Sequence, residues 1–126
     1  MKRSVGLAII FAVVGAAPAG AQDAAKGELV FRPCRACHTI GPGAKNKPNG
    51  PQLNGVVGRK AASVPGFNYS DAMKERAAKG LVWTDANLAA YLDSPDTFLP
   101  QGVMAFAGVK NEADLKDLIA FLKTKK

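Results

Sequence analysis

The chain has 126 residues, with 17 Lys and Arg against 10 Asp and Glu, one His and two Cys. That length suits one small domain, and no internal repeat, low-complexity tract or linker divides it. The basic residues are interleaved with acids rather than gathered in a stripe, which argues against a nucleic-acid binder, and two Cys with one His cannot supply the four ligands of a structural zinc site.

Lys2 and Arg3 precede an apolar run from Val5 to Ala17, then Pro18 and the small residues Ala19-Gly20-Ala21. This reads as an export leader, residues 1–21, cleaved after Ala21. The alternative, a retained anchor, meets a run of 13 residues where a spanning helix needs about 20. The processed chain, 22–126, has 105 residues, and losing Lys2 and Arg3 leaves 15 basic against 10 acidic residues, net +5. Such a surplus suits a soluble surface and an acidic partner.

Asp23 caps a first helix over Ala24 to Arg32. Next comes Cys34-Arg35-Ala36-Cys37-His38. An even cysteine count in an exported chain ordinarily suggests a disulfide, but these two lie three positions apart. A thioredoxin-like pair would sit between strand and helix, and nothing around residues 25–60 alternates as strands do. The spacing, the trailing His and the leader together point to covalent attachment of a c-type haem. Residues i and i+3 of a helical turn share a face, so both sulfurs reach the two vinyl groups of one porphyrin edge, and the next residue faces the iron. His38 is the only histidine. As iron ligand it uses one ring nitrogen, while the other donates to a backbone carbonyl.

Thr39 to Val64 is rich in Gly, Pro and Asn and reads as loop. Ser70 caps a short helix to about Lys79, stopped by Gly80, and Thr84 caps another to about Asp93, before Pro95. Phe98 to Val109 reads as loop again. Asn111 with Asp114 opens a last helix in which Leu115, Leu118, Ile119 and Leu122 form one buried face. The expected fold is all-α, four to five helices and long loops around one haem.

From Gly27 to Lys123 the order of motifs resembles a class I cytochrome c, the family of mitochondrial cytochrome c and its soluble bacterial relatives. The attachment motif near the processed N-terminus argues against the four-helix-bundle cytochromes. The resemblance implies specific roles. Gly50-Pro51-Gln52-Leu53 matches the segment whose proline carbonyl, here that of Pro51, accepts from the haem histidine. Gly58-Arg59-Lys60 and Pro65-Gly66-Phe67-Asn68-Tyr69 match stretches on the propionate side, where Arg59, Tyr69 and Trp83 supply donors to anions that are costly to bury unpaired. Trp83, Tyr91 and Pro95 fall at the positions of a propionate-bonding tryptophan, a haem-pocket tyrosine and a helix-ending proline. On composition alone Trp83 and Tyr91 also read as ordinary core aromatics. Gly27 and Phe31 with Leu118 and Phe121 suit a close crossing of the terminal helices.

Met104-Ala105-Phe106-Ala107-Gly108 resembles the segment bearing the methionine ligand. Met1 would leave with the leader, so the choice lies with Met73 and Met104; Met73 in a short helix reads as core packing, and Met104 sits in a loop 66 residues after His38. The chain departs from the mitochondrial pattern, which has Asn at Met73, Thr at Gly102, lysines at Asp96, Thr97 and Val103, and three fewer residues between Asp71 and Trp83. Arg32, Arg35, Lys45, Lys47 and Lys110 remain as docking cations. The resemblance implies a periplasmic, monomeric one-electron shuttle with no membrane anchor, not an enzyme, taking electrons from a cytochrome bc complex and passing them to a terminal oxidase or photosynthetic reaction centre. The alternatives are a haem peroxidase or gas sensor with an open sixth position, which no second histidine supports, and an electron-entry subunit fixed in a larger complex.

Overall fold

Four side-chain caps set where the helices begin. In the computed structural model, which describes residues 8–13, 15 and 22–126, Asp23 is extended and its carboxylate accepts from the Lys26 N–H at 3.1 Å, opening α1, Ala24–Phe31. Ser70 accepts from Met73 at 3.2 Å to open α2, Asp71–Ala78, and Thr84 accepts from Asn87 at 3.1 Å to open α3, Asp85–Asp93. Asn111 accepts from Asp114 at 3.0 Å at the start of the last helix, Glu112–Lys123. Each cap satisfies an N–H that the first helical turn leaves without a partner. The expected cleavage point after Ala21, with Lys2 and Arg3, lies outside the described residues. No described helix is long and apolar enough to cross a membrane.

Two boundaries differ from the expectation. Beyond Phe31 the chain tightens into a 3-10 turn, Arg32–Ala36, with Pro33 in its first turn. Pro95 does more than end α3. It holds Ser94 extended (φ −145°, ψ 79°) and then begins a one-turn helix, α4, Pro95–Phe98. Proline disfavours helical backbone in the residue before it, yet its fixed φ suits the first helical position, so one residue both stops and starts a helix. Phe98 therefore ends α4 instead of opening the loop, and the last helix is α5.

Helices α1 and α5 cross closely enough to exclude a side chain. A Cβ on Gly27 would lie 1.9 Å from the Asp117 carbonyl oxygen and 2.8 Å from the Phe121 Cβ. Around this contact the Phe31 and Phe121 rings pack at 5.3 Å, and Phe31 and Leu118 are each 1% exposed. The half-closed start of α1 is fastened to α5 by the Asp23 N–H, which donates to the buried Asp117 carboxylate at 2.8 Å. Among the described residues there is no strand, only the bridges Lys47–Gly50 and Lys60–Val82. The loop from 39 to 69 is instead sewn to the segments that flank the helices. Gly55 N–H donates to Lys125, Gly58 N–H to Trp83 and Ala61 N–H to Leu81, while Trp83 N–H donates back to Arg59. These bonds bury Val56 and Ala61 in the same core as Trp83, Leu88 and Leu99.

The crossing predicts opposite effects of one substitution at two levels. Alanine at Gly27 gains about 1 kcal/mol of helix propensity, but its Cβ has no space, so Gly27→Ala should destabilise the protein by about 1–3 kcal/mol net, as overpacking does. Leu118→Ala should cost about 2–5 kcal/mol. Denaturant midpoints of the haem-bearing protein test both, and a stabilised Gly27→Ala protein would refute the close crossing.

Candidate haem site

The 3-10 turn brings the two cysteines together. The Cys34 carbonyl accepts from both the Cys37 N–H (3.1 Å) and the His38 N–H (2.9 Å). In 3-10 geometry positions i and i+3 nearly eclipse, so Cys34 and Cys37 lie on one face more strictly than an α-turn would place them. They do not form a disulfide. Burial pushes the Cys34 thiol up from its ordinary pKa.

His38 follows directly, and its Nδ1 lies 2.7 Å from the Pro51 carbonyl oxygen. A carbonyl only accepts, so Nδ1 carries the proton and Nε2 keeps its lone pair for a metal. Burial lowers the His38 pKa, and the Arg59 and Lys47 cations lower it further against the opposing pull of the Pro51 bond. The ring is thus held neutral, its ligating form. Gly50 makes room for it: a Cβ there would lie 2.5 Å from the Cys37 carbonyl oxygen and 2.7 Å from His38 Cε1. Lys47 clamps this turn against the cysteine turn, its Nζ donating to the Arg35 carbonyl at 2.7 Å.

Met104 approaches from the segment between α4 and α5. The Tyr91 hydroxyl donates to its sulfur at 3.8 Å. Burial, with the Asp96 carboxylate adding to it, pushes the Tyr91 pKa up to about 12, so the hydroxyl remains a donor near neutral pH. The far end of the segment is closed by Val109 N–H, which donates to Leu92 at 2.8 Å, and by Gly108, where a Cβ would lie 2.0 Å from the Asp93 carbonyl oxygen.

All nine residues singled out in the sequence, Cys34, Cys37, His38, Pro51, Arg59, Tyr69, Trp83, Tyr91 and Met104, line one cavity of about 570 Å³, within the range of about 300–1,000 Å³ usual for cofactor sites. Met73 lines it too. Arg59 spends its fork on backbone, donating to the Asn54 carbonyl at 3.0 Å and the Gln52 carbonyl at 3.3 Å, and burial lowers its pKa. The Tyr69 hydroxyl accepts from the Val64 N–H at 3.1 Å. Trp83 and Tyr91 stack at 4.9 Å. Of the five cations expected to serve docking, Lys110 is engaged by the Asp93 carbonyl and Ser94, Arg35 by Glu28 at 3.6 Å and the Phe31 ring, and Lys47 by the Arg35 carbonyl. The sequence reading missed the apolar lining, such as Leu53, Val56 and Leu99. These lie in short apolar stretches beside Gly and Pro, where no periodicity marks them. A wider cleft between residues 22–26 and 111–117 contains none of the motif residues.

The lining fits a covalently held haem: two thiols on one face, a neutral imidazole with a free Nε2, a thioether, two donors beside a half-buried cation, and apolar walls. Fold and site together define a small all-α c-type haem protein. Residues 24–126 match the family model described as cytochrome c. The chain is 50% identical over 122 residues to a cytochrome c2 of Blastochloris viridis, covering 97% of this chain and 91% of that one. It is 54% identical over 100 residues to a cytochrome c-550 of Ancylobacter novellus, covering 79% and 92%. The solved cytochrome c2 of Rhodospirillum centenum superposes with a TM-score of 0.77 at 41% identity, over 82% of this chain and 98% of that one. The chain belongs to the cytochrome c family. Its cofactor is accordingly one covalent haem c, and it is an electron carrier, not an enzyme.

Gly50→Ala should push the His38 ring off the Pro51 carbonyl. A buried donor left unpaired costs about 1–3 kcal/mol, so the haem-bearing variant should lose at least that much stability. Thermal or denaturant unfolding followed at the haem absorption band measures it, and unchanged stability would show that the ring does not need the glycine.

Proposed function

We propose that this protein is a monomeric periplasmic carrier of single electrons, exported under residues 1–21, with haem held by Cys34 and Cys37 and its iron ligated by His38 and Met104. The observation that carries the reading is the pairing of two pre-oriented donors in one cavity: His38 fixed by Pro51 as the Nδ1–H tautomer, and the Met104 sulfur fixed by Tyr91. When bound, the haem supplies an iron that alternates between Fe(II) and Fe(III). The chain's residues hold both axial donors in place. An imidazole and a thioether together leave no position for substrate, which favours electron transfer over oxygen chemistry, and the soft sulfur favours Fe(II) and a raised potential. Pro51 sets the histidine ring. Arg59, Tyr69 and Trp83 would hold the haem propionates, where the guanidinium would offset negative charge. Tyr91 orients the sulfur. The donor is a cytochrome bc complex and the acceptor a terminal oxidase or photosynthetic reaction centre, approached through cations drawn from Arg32, Arg35, Lys45, Lys47 and Lys110.

Replacing Met104 by Ala should lower the reduction potential and open the iron to added ligands, while Met73→Leu should do neither. The sulfur-to-iron charge-transfer band of the oxidised protein reports on this directly: its persistence in Met104→Ala would remove Met104 from the ligand set.

Export and attachment have a separate test. The product isolated from the periplasm should begin at Gln22 and carry the mass of one haem. Intact-mass measurement decides, since a product retaining residues 1–21 overturns the processing and one without haem mass overturns the attachment.

A further inference from the structure

Helix α4 ends where the segment carrying Met104 begins. The last carbonyls of a helix lack intrahelical partners and carry partial negative charge, so cations near them are favourable. At the end of α4, the Phe98 carbonyl takes its donor from a different helix, Arg76 Nη1 of α2, at 2.7 Å. The same guanidinium lies over the Phe98 ring, 4.8 Å from its centroid. Among the described residues no carboxylate pairs with Arg76. Its half-buried charge is met by a carbonyl at its edge and an aromatic face beneath, a combination that a planar fork makes and an ammonium does not.

The contacts continue inward. The Phe98 ring lies 5.7 Å from the ring of Tyr91, whose hydroxyl donates to the Met104 sulfur at 3.8 Å. Along the chain, Phe98 is followed by a turn closed by Gly102 N–H donating to Leu99 at 3.0 Å. That turn contains Gln101 at φ 66°, a left-handed conformation costly for a side chain with a Cβ. A strained turn needs a fixed starting point, and Arg76 provides one across the helices.

We propose that Arg76 is a positioning residue for the Met104 ligand: by capping α4 and backing the Phe98–Tyr91 contact, it keeps the methionine segment closed and the sulfur at the sixth coordination position. This rests on the reading that Met104 is the axial ligand. An external ligand such as imidazole binds the oxidised iron only when the segment opens, so its apparent affinity is scaled by the open fraction.

The test uses the haem-bearing protein and four variants. Arg76→Met keeps the stem and drops the donors, and Arg76→Lys keeps charge and a donor but not the plane. Lys79→Met removes one charge from the end of α2, where Lys79 pairs with Glu75 and not with α4; Met104→Ala opens the site outright. Imidazole affinity, the sulfur-to-iron band and the denaturant midpoint are measured for each. Loss of a charge-assisted hydrogen bond predicts about tenfold tighter imidazole binding and a weakened band in Arg76→Met. Arg76→Lys should lie between it and the parent, and Lys79→Met should match the parent. A lowered midpoint in Arg76→Met without a change in imidazole affinity would make Arg76 a general brace and overturn the proposal. If Met104→Ala itself leaves band and affinity unchanged, the ligand reading fails and takes this inference with it. If Met104→Ala opens the site while Arg76→Met does not, only the positioning role is lost.

Discussion

The crossing of α1 over α5 is the contact on which the haem cavity depends. Phe31, the last residue of α1, is both the buried centre of that crossing and part of the cavity wall, and Leu118 and Leu122 reach the cavity from α5. The cysteine turn follows Phe31 without an intervening residue. Its position is therefore inherited from how deeply Gly27 sits against Asp117, and the absence of one methyl group sets the placement of two sulfurs and an imidazole. A chain of this length has little core of its own. A covalently held haem adds the apolar bulk between the crossing and the loops that the helices alone do not fill.

The two sides of the cavity are built differently. The histidine side is made of short-range pieces: the Cys34 carbonyl accepting twice, Lys47 on Arg35, and Gly50 against the ring. The methionine side is a long segment without helical constraints, held at its ends and touched in the middle by Tyr91. Both hold their donor through bonds made by the chain itself, which leaves little rearrangement for a change in the charge of the iron. The positive charge is also uneven. Lys110 is the one expected docking cation on the methionine side, where Val103 beside Met104 is 76% exposed, and the other four lie toward the cysteine turn.

What could be read from the chain follows the range of the interaction. Asp23, Ser70, Thr84 and Asn111 act within three residues of themselves, and all four helix starts were legible from them. The attachment motif is equally local, and the face of α5 repeats often enough to be seen. The 3-10 form of the cysteine turn was not legible, because α and 3-10 backbones accept the same residues and differ here by the packing of Phe31 and the place of Pro33. The start of α4 was hidden because proline was taken only as a stop. The contact of Arg76 was not legible, because its partner is 22 positions away and is a carbonyl, which no sequence pattern advertises. The same holds for the bonds from Gly55 to Lys125 and from Gly58 to Trp83, which tie a patternless loop to the core.

The bond from Asp23 to Asp117 joins residues 94 positions apart, so the first helix finds its partner only when the last has been made. Until α5 has formed, no crossing can bury Phe31. Long-range closure of this kind is slow compared with local helix formation. The two ends of the chain thus act as one clasp, and loosening either would release the cysteine turn from the core.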